Sequence, residues 1–196
     1  MPVRIEDVRR EELIRAGLDV LLDGGPEQAT MERIGKRAGM SRGIVNYYFR
    51  SKDDFMVEIV KRVFADNLRT SDALRSVAKT PRERVSAVIH ANFLEPAFTH
   101  QLAKSYLLTY ARYMSHPDFA VAQVEFDRRT VSDLKEDLRD LIAPEAVDKI
   151  AGMALAMMDG FWLERAKHES TRTAAEAIAD VEALIDFAIA VHPKKG

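Results

Sequence analysis

Apolar residues recur with a helical period along almost the whole chain. Leu13, Ile14, Gly17, Leu18 and Leu21 share one face at i, i+4, i+8, which predicts a first helix from Asp7 to about Asp23, stopped by Gly24-Gly25. Thr30 is placed to cap a short second helix that turns Met31, Ile34 and Ala38 inward and ends at Gly39. Ser41 caps a third, running to about Phe49. Ser51 caps a long fourth, with Phe55, Ile59 and Val63 on one stripe and Met56, Val60 and Phe64 beside it.

Further along, Thr80-Pro81-Arg82-Glu83 combines a capping box with proline at the first helical position. Pro96, Pro117 and Pro144 then punctuate the chain, implying helices near 81–94, 97–115, 118–142 and 145–168, and Thr173 opens a last one near 173–191. No segment alternates as a strand would, and there is no internal repeat. The expected fold is all-α: a three-helix N-terminal head over residues 1–50 and a larger helical body over 51–196, linked by the long fourth helix.

Composition changes this picture little. Of 196 residues, 47% are hydrophobic and 31% charged, an ordinary globular balance, and the absence of cysteine removes disulfides, thiolate metal sites and cysteine nucleophiles together. Charges interrupt the N-terminus too often for a signal peptide, and no apolar run approaches a membrane span, so a cytoplasmic protein is expected. The net charge of −2 argues against nucleic acid only on average: Arg33, Lys36, Arg37, Arg42, Arg50 and Lys52 fall in a stretch with no acid.

That stretch contains the candidate chemistry. Between Thr30 and Phe49 two short helices are joined by Ala38-Gly39-Met40-Ser41, where Gly39 supplies the left-handed backbone of a sharp turn. Ile34, Ala38, Ile44 and Val45 are expected to face inward, leaving Arg42, Gly43, Asn46 and Tyr47 outward. Arginine can read guanine and asparagine adenine, while Gly43 lets the backbone near a DNA groove. An ordinary αα-hairpin with a polar outer face is the competing explanation.

The run ATMERIGKRAGMSRGIVNYYFRSKDDFM resembles the tetracycline-repressor (TetR) family signature, a resemblance covering roughly residues 8–62. It implies base or phosphate contacts for Ser41, Arg42 and Asn46, phosphate contacts for Thr30, Tyr47 and Lys52, and packing roles for Tyr48 and Phe49. Asn46 stands where many members carry tyrosine, so base preference is not transferable. In the body, ANF at 91–93, MSHPDF at 114–119, Asp127-Arg128-Arg129 and MDGFWLERA at 158–166 are similar to choline-responsive repressors of the BetI type, which control glycine-betaine synthesis genes.

Operator DNA, a second copy of the chain and a small effector (choline or betaine aldehyde) are the partners this implies. Residues 150–161 and the stripe Ala177, Ile178, Val181, Leu184, Ile185, Ala188 are apolar enough for a two-fold four-helix interface, or for internal core. Tyr106, Tyr110 and Tyr113 fall at i, i+4, i+7; with Phe93, Asp159 and Trp162 brought in by the resemblance, Phe93, Tyr106, Tyr110, Asp159 and Trp162 form the expected effector site. Aromatic faces beside a carboxylate suit a quaternary ammonium, although a tyrosine stripe can equally be core. No metal or cofactor is expected: His90, His100, His116, His168 and His192 are dispersed, and no phosphate loop or nucleophile elbow is present. An enzyme and a helical adaptor are the rival classes; salt-dependent binding to upstream DNA separates a regulator from both.

Overall fold

A computed structural model describes residues 4–94, 97–114, 116–167 and 170–194. Pro96, Ser115 and His168 lie outside the described residues. Among those described, the chain runs through α1 (Ile5–Gly24), α2 (Met31–Arg37), α3 (Arg42–Tyr48), α4 (Lys52–Val77), α5 (Pro81–Asn92), α6 (His100–Tyr113), α7 (Pro117–Leu138), α8 (Pro144–Arg165) and α9 (Ala174–Val191), with no strand. The helix starts follow from local chemistry. Thr30, Ser41 and Ser51 each accept a hydrogen bond from the backbone three residues on, satisfying an orphan N–H, and Thr80 and Thr173 form full capping boxes.

The α2–α3 turn depends on two glycines. Gly39 sits at φ 67°, in the left-handed region. Gly35 is required for a different reason: a Cβ there would lie 2.8 Å from the Met40 carbonyl oxygen and 3.0 Å from Val45 Cγ2, so any side chain would force the two helices apart.

α7 stops at Leu138, four residues short of its expected end. Ile142 is buried and pairs with Pro193, while the Ala143 amide donates to the His192 carbonyl at 2.8 Å. Contact with the far end of the chain therefore takes residues that period alone would give to the helix.

Two apolar clusters hold the molecule together. One gathers α5, α7, α8 and α9 around Ile89, Leu134, Leu138, Met158, Val181 and Ile185. The other joins the head to α4 through Leu13, Val20, Ile34, Val45, Phe55 and Ile59, and continues to Tyr113, Phe119 and Phe126 of α6 and α7. α4 thus belongs to head and body alike. Burying Phe55 alone stabilises by roughly 1.5–3 kcal/mol.

At its C-terminal end α4 is tied down by charge. Arg75 reaches Asp133 at 3.2 Å and Asp137 at 3.0 Å, and Arg84 of α5 also donates to Asp137, whose side chain is 2% exposed. Arg129 joins Asp133 to Asp72. Carboxylates buried this deeply are tolerable because several donors satisfy each one.

Candidate DNA-binding face and effector cavity

The outer side of the head carries every expected DNA residue. Thr30, Ser41, Arg42, Gly43, Asn46, Tyr47 and Lys52 are all exposed, Tyr47 by 73%. Among the described residues the side chains of Arg42 and Asn46 make no hydrogen bond or ion pair, so both are available to bases. The Tyr47 hydroxyl is 3.4 Å from Glu6, and Lys52 donates to the Pro26 carbonyl at 3.4 Å.

Two expectations change here. Ile44 is 36% exposed instead of inward, because Val45, one residue on, holds the core-facing position of this two-turn helix. Its side chain gives the face an apolar point suited to a thymine methyl. The basic stretch, free of acids in sequence, is partly neutralised in space: Arg37 pairs with Asp23 and lies near Asp19, both on α1.

A cavity lies between α4, α6 and α8, about 650 Å³ when the open solvent at its mouth is counted. α4 supplies an apolar wall that includes Ile59, Val63 and Phe64; Phe64 stacks on Phe126 with ring centroids 4.5 Å apart. Tyr106, Asp159 and Trp162 line it as expected. The Trp162 ring is fixed by its Nε1–H, which donates to the Asn92 carbonyl at 3.2 Å, and by the edge of Phe98.

Phe93 and Tyr110 do not line the cavity. Phe93 is fully buried behind Phe98, one layer back from Trp162, and Tyr110 packs against Phe119 with an exposed edge. The tyrosine stripe of α6 is divided between three tasks: Tyr106 in the wall, Tyr110 on the outside, and Tyr113 bonded to Asp53 of α4. Sequence reading missed the polar wall residues Asn67, Asn92, Ser105 and Thr109. Asn92 was within reach, since it lies inside the ANF segment.

Electrostatically the cavity is acidic. Asp159 opens to solvent on one side, yet its apolar surroundings desolvate the carboxyl, and Asp127 adds like charge, so its pKa is pushed up to about 6. Asp127 is raised as well, mainly by burial, against a 2.8 Å hydrogen bond from Gln123. Burial, then these two acids, raises the Tyr106 hydroxyl far above its usual range; the hydroxyl donates to Gln123 Oε1 at 3.1 Å. No cationic side chain pairs with Asp159 among the described residues.

Residues 13–59 match the bacterial regulatory proteins of the tetR family, and residues 81–190 match the C-terminal domain of the BetI-type transcriptional repressor. The chain is a TetR-family repressor of the BetI type. It is 34% identical over 165 residues to HTH-type transcriptional regulator BetI 1 of Chromohalobacter salexigens, covering 83% of this chain and 81% of the relative. Identity to BetI of Agrobacterium fabrum is 28% over 191 residues, covering 97% and 93%. Among solved structures, a transcriptional regulator from Rhodococcus shares the fold with a TM-score of 0.78 at 19% identity, covering 95% of this chain and 99% of that one. A regulator from Saccharomonospora viridis, solved in complex with choline, does so at 0.77 and 15% identity, covering 90% and 95%. The BetI-type chain is a transcription regulator and not an enzyme. Among the described residues no helix is long and apolar enough to cross a membrane.

In this BetI-type repressor the expected α9 interface stripe lies inside the body. Ala177, Val181, Ile185 and Ala188 are fully buried within the single chain, and Ile178 and Leu184 pack partly against the same core. The opposite side of α9 is the open one: Ala175, Ala179, Ala183, Phe187 and Val191 recur every four residues and are exposed. On α8, Gly152, Met153, Ala156, Gly160 and Leu163 form a similar exposed row. The apolar periodicity was real, but each helix has two apolar faces and only one is free.

Proposed function

We propose that this repressor binds a palindromic operator as a dimer and releases it when a small quaternary ammonium cation, choline or betaine aldehyde, enters the α4/α6/α8 cavity, so that it controls glycine-betaine synthesis genes. The observation that carries the reading is Asp159, a carboxylate with no cationic partner among the described residues that lines the same cavity as the Trp162 and Tyr106 rings and the apolar α4 wall. A cation without N–H groups is held by aromatic faces and a nearby negative charge, and needs no hydrogen-bond acceptor. The choline complex of the Saccharomonospora viridis regulator, which shares the fold, adds support.

Dimerisation rests on the exposed apolar rows of α8 and α9, which two copies can pack into a four-helix interface. Specificity also calls for two heads, since one short recognition helix reads few bases and a two-fold dimer reads half-sites roughly 34–36 Å apart. The ligand acts by favouring a head spacing that misses this fit. Its effect is limited by how much better it binds that state, and DNA weakens ligand binding by the same factor.

A second reading, an uncharged aromatic or aliphatic effector, draws on the apolar α4 wall. One titration separates them. The complex with DNA from upstream of the repressor's own gene is challenged with choline, betaine aldehyde and the neutral carbon isostere of choline. Release by the cations alone is the expected result; release by the isostere at equal concentration, or by none of the three, removes the ammonium reading.

A further inference from the structure

We propose that the Asn92 side chain selects the effector for an oxygen atom, donating its amide N–H to a hydroxyl or carbonyl on a ligand whose charged end faces Asp159. The proposal rests on the reading of the cavity as the effector site and adds a second recognition point to it. Asn92 is the last residue of α5, is 6% exposed, and lines the cavity. Its Nδ2 is buried and has no hydrogen-bond partner among the described residues. Leaving a buried amide unpaired is costly, so such a group signals something that completes it.

Four other donors of the cavity wall are already committed. Trp162 Nε1 donates to the Asn92 carbonyl, Asn67 Nδ2 to the Ala91 carbonyl at 3.0 Å, the Tyr106 hydroxyl to Gln123, and the Ser105 hydroxyl to the Gln101 carbonyl at 2.7 Å. Two of these bonds end on the last carbonyls of α5, which holds the Asn92 backbone in place against the indole. The backbone that carries the amide is therefore held in a fixed frame, as a recognition group must be to discriminate.

The carboxylate and the amide ask for different things. Asp159 takes positive charge; Asn92 takes an oxygen acceptor. A bare tetraalkylammonium answers the first and buries the second unpaired, and a neutral alcohol does the reverse. A short ammonium carrying a hydroxyl or carbonyl answers both. Sites built to hydrogen-bond a ligand oxygen reject the analogue without it because the protein group is left unpaired.

Calorimetry on the full-length protein tests this with three probes: choline, propyltrimethylammonium (choline with its hydroxyl replaced by methyl), and the neutral carbon isostere of choline. The wild type is expected to prefer choline over propyltrimethylammonium by roughly 10- to 100-fold, and Asn92→Leu to bind the two cations within about threefold of each other. Asn92→Ala provides the same comparison if circular dichroism shows the leucine variant unfolded. A wild type that binds both cations equally, or variants that keep the wild-type preference, overturns the proposal. Binding of the neutral isostere in place of the cations, lost in Asn92→Leu, keeps the selection of an oxygen by Asn92 while the charged end at Asp159 and the ammonium reading fall. Binding of none of the probes overturns both.

Discussion

The Tyr113 hydroxyl donates to the Asp53 carboxylate, joining the last residue of α6 to the first turn of α4. Arg112 reaches the other oxygen of Asp53 at 3.3 Å. The Tyr113 bond, then Arg112, keeps the Asp53 carboxyl below its ordinary range, while burial and the same bond push Tyr113 up to about 12. Because α6 also carries Tyr106 in the cavity wall, this clasp connects the cavity with the base of the head. Tyr113→Phe is expected to cut the effector-induced change in operator affinity by about threefold or more, against the roughly 5- to 150-fold couplings typical of allosteric proteins. Operator affinity measured with and without saturating choline checks it, and an unchanged ratio removes the clasp from the transmission.

On the DNA face, Arg42→Ala should weaken operator binding by about 1–3 kcal/mol and relax base preference at one position. Lys52→Ala should instead weaken all sequences alike and lower the salt dependence by about one phosphate contact. Competition between the operator and scrambled DNA at several salt concentrations distinguishes the two. Equal selectivity of Arg42→Ala and wild type would displace Arg42 from the recognition surface.

The dimer assignment turns on which face of α9 is altered. Phe187 is 65% exposed, so Phe187→Glu is expected to keep helix content and yield a folded monomer in sedimentation. Leu184 packs partly against the body core, and Leu184→Glu is expected to lower the melting temperature instead. A fully dimeric Phe187→Glu protein places the interface elsewhere.

Asp159 makes effector binding pH-dependent. A bound cation favours the ionised carboxylate, so affinity should climb as pH rises through about 6 and level off above it, with Asp127 and the Tyr106 hydroxyl as the other titratable groups at the site. The same raised pKa means that ionising Asp159 costs the empty protein stability, an effect absent below the unfolded carboxylate's pKa and complete once pH has passed about 6. Asp159→Asn is therefore expected to flatten the pH profile, weaken cation binding, and raise the melting temperature at neutral pH by about 2–4 °C, a gain kept small by solvent screening. A variant with undiminished affinity would show that the carboxylate does not hold the charge.

What the sequence disclosed was mostly local. Thr30, Ser41, Ser51, Thr80 and Thr173 mark their helices because a cap is decided within three residues, and Gly39 marks its turn for the same reason. Resemblance carried Asp159 and Trp162 to the cavity. Resemblance also placed Phe93 there, one layer too far forward, while periodicity defines a face without naming its neighbour, which is why Tyr110 was grouped with the cavity and the α9 stripe with a partner. Ile142 depended on a contact made far along the chain, with Pro193, and no local pattern reports it.

The ion cluster around Asp133 and Asp137 turns α4 into a lever with a fulcrum. Arg75 is anchored there, whereas the opposite end holds the head. Measured along the axis from Arg75, Phe64 in the cavity wall lies about 17 Å away and Lys52 about 35 Å, at 1.5 Å per residue. A ligand that tilts α4 by pressing on Phe64 therefore moves Lys52 about twice as far. In a two-fold dimer the two heads swing as arms related by the symmetry axis, and an ångström of crowding in each cavity becomes up to about four ångströms of change in the gap between them.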